Sequence, residues 1–151
     1  MSSFWGQQSR RLWPDSLSKM PRISNRTTGN LIADEVEFAT TPWTRFRGLM
    51  MRSASDFRAG RALVIDPCTS IHMFFMRFPI DVLYLNRENV VVRAQQDIRP
   101  WRVGPVYTRG ARFVIELPSG TIEQSGTTVG DALAIGVPSA TTPTPISEMA
   151  S

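Results

Sequence analysis

The stretch IHMFFMRFPIDVLYLN, residues 71–86, decides the fold class. In an extended chain successive side chains alternate between faces. Its first half then sets Ile71, Met73 and Phe75 on one side and His72, Phe74 and Met76 on the other. Both sides are apolar, which predicts a central strand buried on both faces. After Phe78-Pro79 the second half sets Ile80, Val82 and Tyr84 against Asp81, Leu83 and Leu85, a second strand closed by the polar turn Asn86-Arg87-Glu88-Asn89.

Strand signals continue on both sides of this segment. Downstream, residues 90–94, 113–117 and 133–135 read as strands, with a long, rigid loop at 96–106 around Trp101 and a turn at Pro118-Ser119-Gly120. Upstream, Arg61–Ile65 is a strand closed by Asp66-Pro67, and Leu31–Phe38 is strand-like but interrupted by acidic residues. Between them Thr40-Thr41-Pro42 opens a helix. Threonine caps the first turn, and proline lacks the amide hydrogen that would be orphaned at the first helical position. Trp43, Phe46, Leu49 and Met50 then form one apolar face of two to three turns ending near residues 48–52. Several short strands with one short helix and few crossovers predict a mainly β domain, an antiparallel β-sandwich or partly closed barrel.

The 151 residues suit one domain rather than two. Residues 1–30 hold Arg10, Arg11, Lys19, Arg22 and Arg26 against Asp15, while residues 31–151 are formally neutral with 12 basic and 12 acidic side chains. The net charge of +4 therefore belongs to a flexible basic leader over 1–30 and not to the fold, which makes nucleic acid an unlikely partner. The folded domain is expected over 31–136, and the Pro-, Ser- and Thr-rich segment 137–151 as a disordered tail. Cys68 is the single cysteine, so neither an intrachain disulfide nor a four-cysteine zinc site can form. No apolar run approaches the ~20 residues of a membrane span, and no secretory signal is visible. The expectation is a soluble chain that remains in the cytoplasm.

Cys68 and His72 invite a thiol or metal reading. Four residues of extended chain separate their α-carbons by about 13 Å at ~3.3 Å per residue, too far for a thiol–imidazole bond or shared metal. The direct pair requires the chain before His72 to curl. Asp81 shares its face with Leu83 and Leu85, so its carboxylate needs a partner. Arg47 or Arg52, from the helix and the segment after it, is the first choice, and Arg77 the local alternative. Glu116, between Ile115 and Leu117, is expected to face solvent. Gly130-Asp131 reads as a turn at a strand entry, and Trp101 as a packed loop tip.

Taken together, the motifs of this chain resemble those of the prokaryotic family known as domain of unknown function 192. The matching elements, in the family's order, are RFRGLMMR at 45–52, CTSIHMFFMRFPIDVLYLN at 68–86, the valines at 90–92, RPW at 99–101, IELPSG at 115–120 and VGD at 129–131. The resemblance implies a compact jelly-roll-like sandwich with a short helix ahead of the GLM segment. It implies no reaction, substrate or cofactor. Similar proteins are often encoded near pilus-assembly or secretion systems, and many carry an export signal or anchor ahead of this domain.

The functional expectation is a non-catalytic module that binds a small polar ligand or a protein partner, accessory to envelope or pilus assembly, with neither cofactor nor metal. Its candidate site residues are Arg47, Arg52, His72, Arg77, Asp81 and Glu116. The competing expectation is a small hydrolase or transferase using His72 with Asp81 or Glu116.

Overall fold

The computed structural model describes residues 20–105 and 107–137. Two sheets build the fold. The smaller has the order β2-β1-β8, from Leu31–Ala33, Arg22–Asn25 and Leu133–Gly136. The larger has the order β3-β4-β7-β5-β6, from Glu35–Ala39, Arg61–Ile65, Phe113–Pro118, Ile80–Leu85 and Val91–Ile98. Every pairing is antiparallel except β3 with β4. The domain is mostly β, with no closed barrel.

The larger sheet is covered on both faces, and alternation assigns each side chain its layer. Leu83, Leu85, Ile115 and Leu117 point with Ile23, Ile32 and Leu133 into the core between the sheets. Leu63, Ile65, Ile80, Val82, Tyr84 and Val114 point the other way, where Leu49, Phe57, Ile71, Met73, Met76 and Phe78 cover them. Helix α1, Pro42–Arg47, lies on this second side. Its start follows the expected chemistry. The Thr41 hydroxyl accepts from the Thr44 amide, and the Thr44 hydroxyl accepts from the Thr41 amide in return. Gly48 ends it at φ 46°, a backbone region that favours glycine. The helix is shorter than expected, and Trp43 and Phe46 stand exposed, leaving Leu49 as the buried anchor. A second helix, α2 (Thr121–Ser125), follows the turn after β7 and was not evident in the sequence.

The structure corrects three local expectations. Leu31–Phe38 is broken at Asp34 into β2 and β3, which belong to different sheets. Arg22–Asn25, inside the segment expected as leader, is the central strand of the smaller sheet, so the folded unit begins before residue 31. The rest of the expected leader through residue 19, and the tail from residue 138, lie outside the described residues.

The segment at residues 71–86 also departs from the expected pair of strands. Only its second half is a strand. Both edges of β5 are already taken, by β6 and by β7, so residues 71–77 have no edge of β5 to join. They form a loop instead. The Met73 amide donates to the Arg102 carbonyl at 2.7 Å, and the amides of Trp101 and Gly104 donate to the carbonyls of Met73 and Ile71. The apolar residues sort accordingly: Ile71, Met73 and Met76 go down into the core, while Phe74 and Phe75 turn outward, Phe75 at φ 58°.

Candidate functional site

The loop from Asp66 to Pro79 and helix α1 meet over β7 around a small pocket of about 50 Å3. Arg45, Arg47, Gly48, Cys68, Ser70, His72, Met76 and Glu116 are among the residues that line it. Strand alternation brings Glu116 here. Its neighbours Ile115 and Leu117 point into the inter-sheet core, so Glu116 points the other way, beside Leu63 and Val82 of the flanking strands. On an edge strand that face would meet water. On β7 it lies under α1, and Glu116 is buried, against the expectation of a solvent-facing carboxylate.

Three polar atoms of this pocket are buried without a hydrogen-bond partner among the described residues: Arg45 Nε, His72 Nδ1 and Glu116 Oε2. Buried polar atoms are overwhelmingly paired, so three orphans on one pocket form a cluster of unmet bonding capacity. Burial raises the Glu116 carboxyl to about 7, with the nearby Arg52 charge pulling weakly the other way. The carboxyl therefore titrates near neutrality. Burial also raises the Cys68 thiol, despite a hydrogen bond of 2.8 Å from its sulfur to the Ser70 carbonyl. A neutral thiol committed to a carbonyl is a poor nucleophile.

Cys68 and His72 do share the pocket, which the extended-chain distance had argued against. The reason is the loop: residues 68–72 curl, and the spacing of a strand no longer applies. His72 stacks on Phe74 at 5.3 Å between ring centroids and leans on Phe46 at 6.0 Å. The row continues through Trp43, Trp101 and Phe75, all exposed, so the pocket opens within an aromatic surface. Trp101 is thus no packed tip.

Asp81 lies elsewhere. It is fully buried on the opposite face of the larger sheet, and its partners are backbone amides rather than any arginine. Oδ1 accepts from the Asp97 amide at 2.9 Å, and Oδ2 from those of Gly120 and Ile122 at 3.1 and 2.9 Å. It caps α2 from a neighbouring strand, a structural role. Of the proposed partners, Arg52 instead forms a bidentate pair with Glu37 at 2.9 and 3.1 Å, Arg47 lines the pocket, and Arg77 is exposed and does neither. Asp131 is a turn residue, as read. Bonds from the Thr128 amide and the Asn25 side chain hold its carboxyl below the ordinary range.

Sequence reasoning favoured Arg47 and missed Arg45. Both line the pocket, but Arg45, unlike Arg47, carries a buried nitrogen without a partner among the described residues, which nothing in the sequence marks. A larger concavity of about 510 Å3 borders the smaller sheet, but among the described residues Arg22 is its only ionisable side chain and it holds none of the unpartnered buried atoms. Among the described residues no group of three or more His, Cys, Asp or Glu side chains is placed to hold a metal, and no helix is long and apolar enough to cross a membrane.

Comparison with known proteins agrees with the resemblance read from the sequence. A UPF0127 protein of Thermococcus sibiricus is 35% identical over 113 residues, covering 74% of this chain and 72% of its own. A UPF0127 protein of Pyrococcus furiosus is 38% identical over 116 residues, covering 72% and 93%. A solved protein of unknown function from Novosphingobium aromaticivorans shares the fold with a TM-score of 0.64 at 19% identity, over 76% of this chain and 82% of that one. The model of the family described as Uncharacterized ACR matches residues 23–135, from β1 through β8, and the chain belongs to this domain of unknown function 192 family.

Proposed function

We propose that the domain is a non-catalytic binding module whose site is the pocket beneath α1, built from Arg45, His72 and Glu116 with Cys68 and Gly48 in its wall. The observation that carries this is the clustering of three unpartnered buried polar atoms on one small pocket. Leaving a polar group unsatisfied costs about 1–3 kcal/mol, and a ligand supplying the missing partners recovers that energy on binding. The pocket admits an end-group rather than a whole metabolite, and the exposed aromatic row beside it offers a surface for the remainder.

The alternative reading, a hydrolase or transferase, loses one of its two forms. Asp81 is on the far side of the sheet from His72, with every oxygen engaged. Glu116 and His72 do border one pocket, but its small volume and the engaged thiol favour holding a ligand over turning one over. An accessory role in envelope or pilus assembly is drawn from the family resemblance, and the exposed aromatics are suited to a protein partner. A thermal-shift screen of metabolites on the full chain and on Glu116→Leu tests the reading. Compounds that raise the melting temperature of the wild type but not of the variant support it. Compounds that shift both equally refute it.

A further inference from the structure

The chemistry of the pocket also restricts what its occupant can be, an inference that rests on the binding-module reading above. The ionisable groups facing Glu116 come from every element around it: Arg45 and Arg47 from α1, Arg52 after it, Cys68 and His72 from the loop, and Tyr84 from β5 behind. Arg52 is already paired with Glu37. Arg45 and Arg47 form no ion pair among the described residues, and Arg45 spends one guanidinium nitrogen on the Pro67 carbonyl. The thiol and the Tyr84 hydroxyl are both raised by burial and stay neutral at ordinary pH. The standing charge of the pocket is therefore positive.

Its bonding pattern leans the same way. Arg45 Nε carries a hydrogen and can only donate, and a neutral Glu116 offers one O–H beside an accepting carbonyl oxygen. His72 Nδ1 donates or accepts according to its protonation. A complementary group is anionic, rich in acceptors and small. At about 50 Å3, with about 10–15 Å3 per water-sized centre, the space suits about three to five heavy atoms. A planar carboxylate meets all three conditions. A tetrahedral phosphate is larger and needs more donors than the pocket presents.

Outside the mouth the surface changes character. His72 is flanked by Phe46 and Phe74, and the row runs on to Trp101 and Phe75. Trp101 and Phe75 hold positive φ angles, 66° and 58°, which L side chains rarely adopt, yet both rings face outward. Such backbone strain concentrates at functional surfaces. An apolar or flat body attached to the carboxylate would lie on these rings.

We propose that the pocket binds the carboxylate of a monocarboxylic ligand, with Arg45 and the Glu116 carboxyl donating to it and the ligand's apolar body resting on the Phe46–His72–Phe74–Trp101 row. Two carboxyl groups at one site share a single proton. Binding therefore draws on the protonated form of Glu116, and affinity falls about tenfold per pH unit once Glu116 ionises. Gln at this position keeps a donor and cannot ionise.

The test is calorimetric titration of the full chain with acetate, phenylacetate, phenylacetamide, benzylamine and inorganic phosphate, across pH 6–9, on wild type, Glu116→Gln and Arg45→Met. Phenylacetate is expected to bind about tenfold more tightly than acetate and well above its amide. Its affinity should decline above neutral pH more steeply in the wild type than in Glu116→Gln, and it should be lost in Arg45→Met. Benzylamine or phosphate binding more tightly than phenylacetate overturns the carboxylate assignment while leaving the pocket a binding site. Equal phenylacetate affinity in wild type and Arg45→Met overturns it as well. Absence of binding by every probe at about 10 mM also overturns it, and the metabolite screen then decides whether the broader reading stands.

Discussion

Glu116→Gln should flatten one component of the pH dependence of stability, and its size follows from the structure. Burial lifts this carboxyl from an ordinary 4.5 to about 7 in the folded state. The folded protein therefore holds the proton more tightly than the unfolded chain. Stability is fully present below pH 4.5, is lost as pH rises towards 7, and levels off above it. At about 1.4 kcal/mol per pH unit the loss sums to about 3 kcal/mol. Because Glu116 is buried, solvent screening does not reduce this figure much. Glu37 and Asp131, whose carboxyls are held low by their partners, contribute slopes of the opposite sign. Those slopes are common to both proteins and cancel in the difference. Urea unfolding of wild type and variant at about pH 4, 5, 6, 7 and 8 should show the variant gaining about 3 kcal/mol on the wild type across the series. Two curves parallel within about 0.5 kcal/mol would refute the buried, uncompensated carboxyl and, with it, the basis of the proposed site.

Three further substitutions probe the frame around the site. Asp81→Asn opposes an amide N–H2 to at least one of the three backbone amides that the carboxylate now accepts from, so it should cost about 3 kcal/mol by urea unfolding without touching the pocket. In Gly104→Ala the new Cβ would sit 2.9 Å from Ile71 Cγ1, 3.0 Å from the Tyr84 hydroxyl and 3.2 Å from the Ile71 carbonyl. A melting curve should show a loss of about 1–3 kcal/mol, and an unchanged midpoint would contradict that packing. Arg52→Ala removes a partly exposed ion pair with Glu37 and should cost less than about 1 kcal/mol, a loss that shrinks further at high salt.

Much of the fold was legible because it is written in short-range pattern. Arg61–Ile65, Phe113–Leu117 and the second half of the opening segment alternate or run apolar as buried strands do, and Thr41-Pro42 marks the helix start by local capping chemistry. The site was legible only in part. His72 and Glu116 were named, but Glu116 was expected in solvent because a strand's own sequence does not say whether its second face is covered. Asp81 was rightly read as needing a partner and given the wrong kind, since backbone amides carry no signature in a sequence.

Alternation, turns and caps, all set by neighbouring residues, determined from sequence alone that this is a mainly β domain with most of its strands and a short helix opening at Thr41-Pro42. The tertiary structure decided the rest through contacts between distant residues. Asp81 meets amides 16, 39 and 41 residues away. The apolar run at 71–77 became a loop because β6 and β7 already occupied both edges of β5. That loop, curled over the covered face of β7, is what brings Cys68, His72, Arg45 and Glu116 to one pocket.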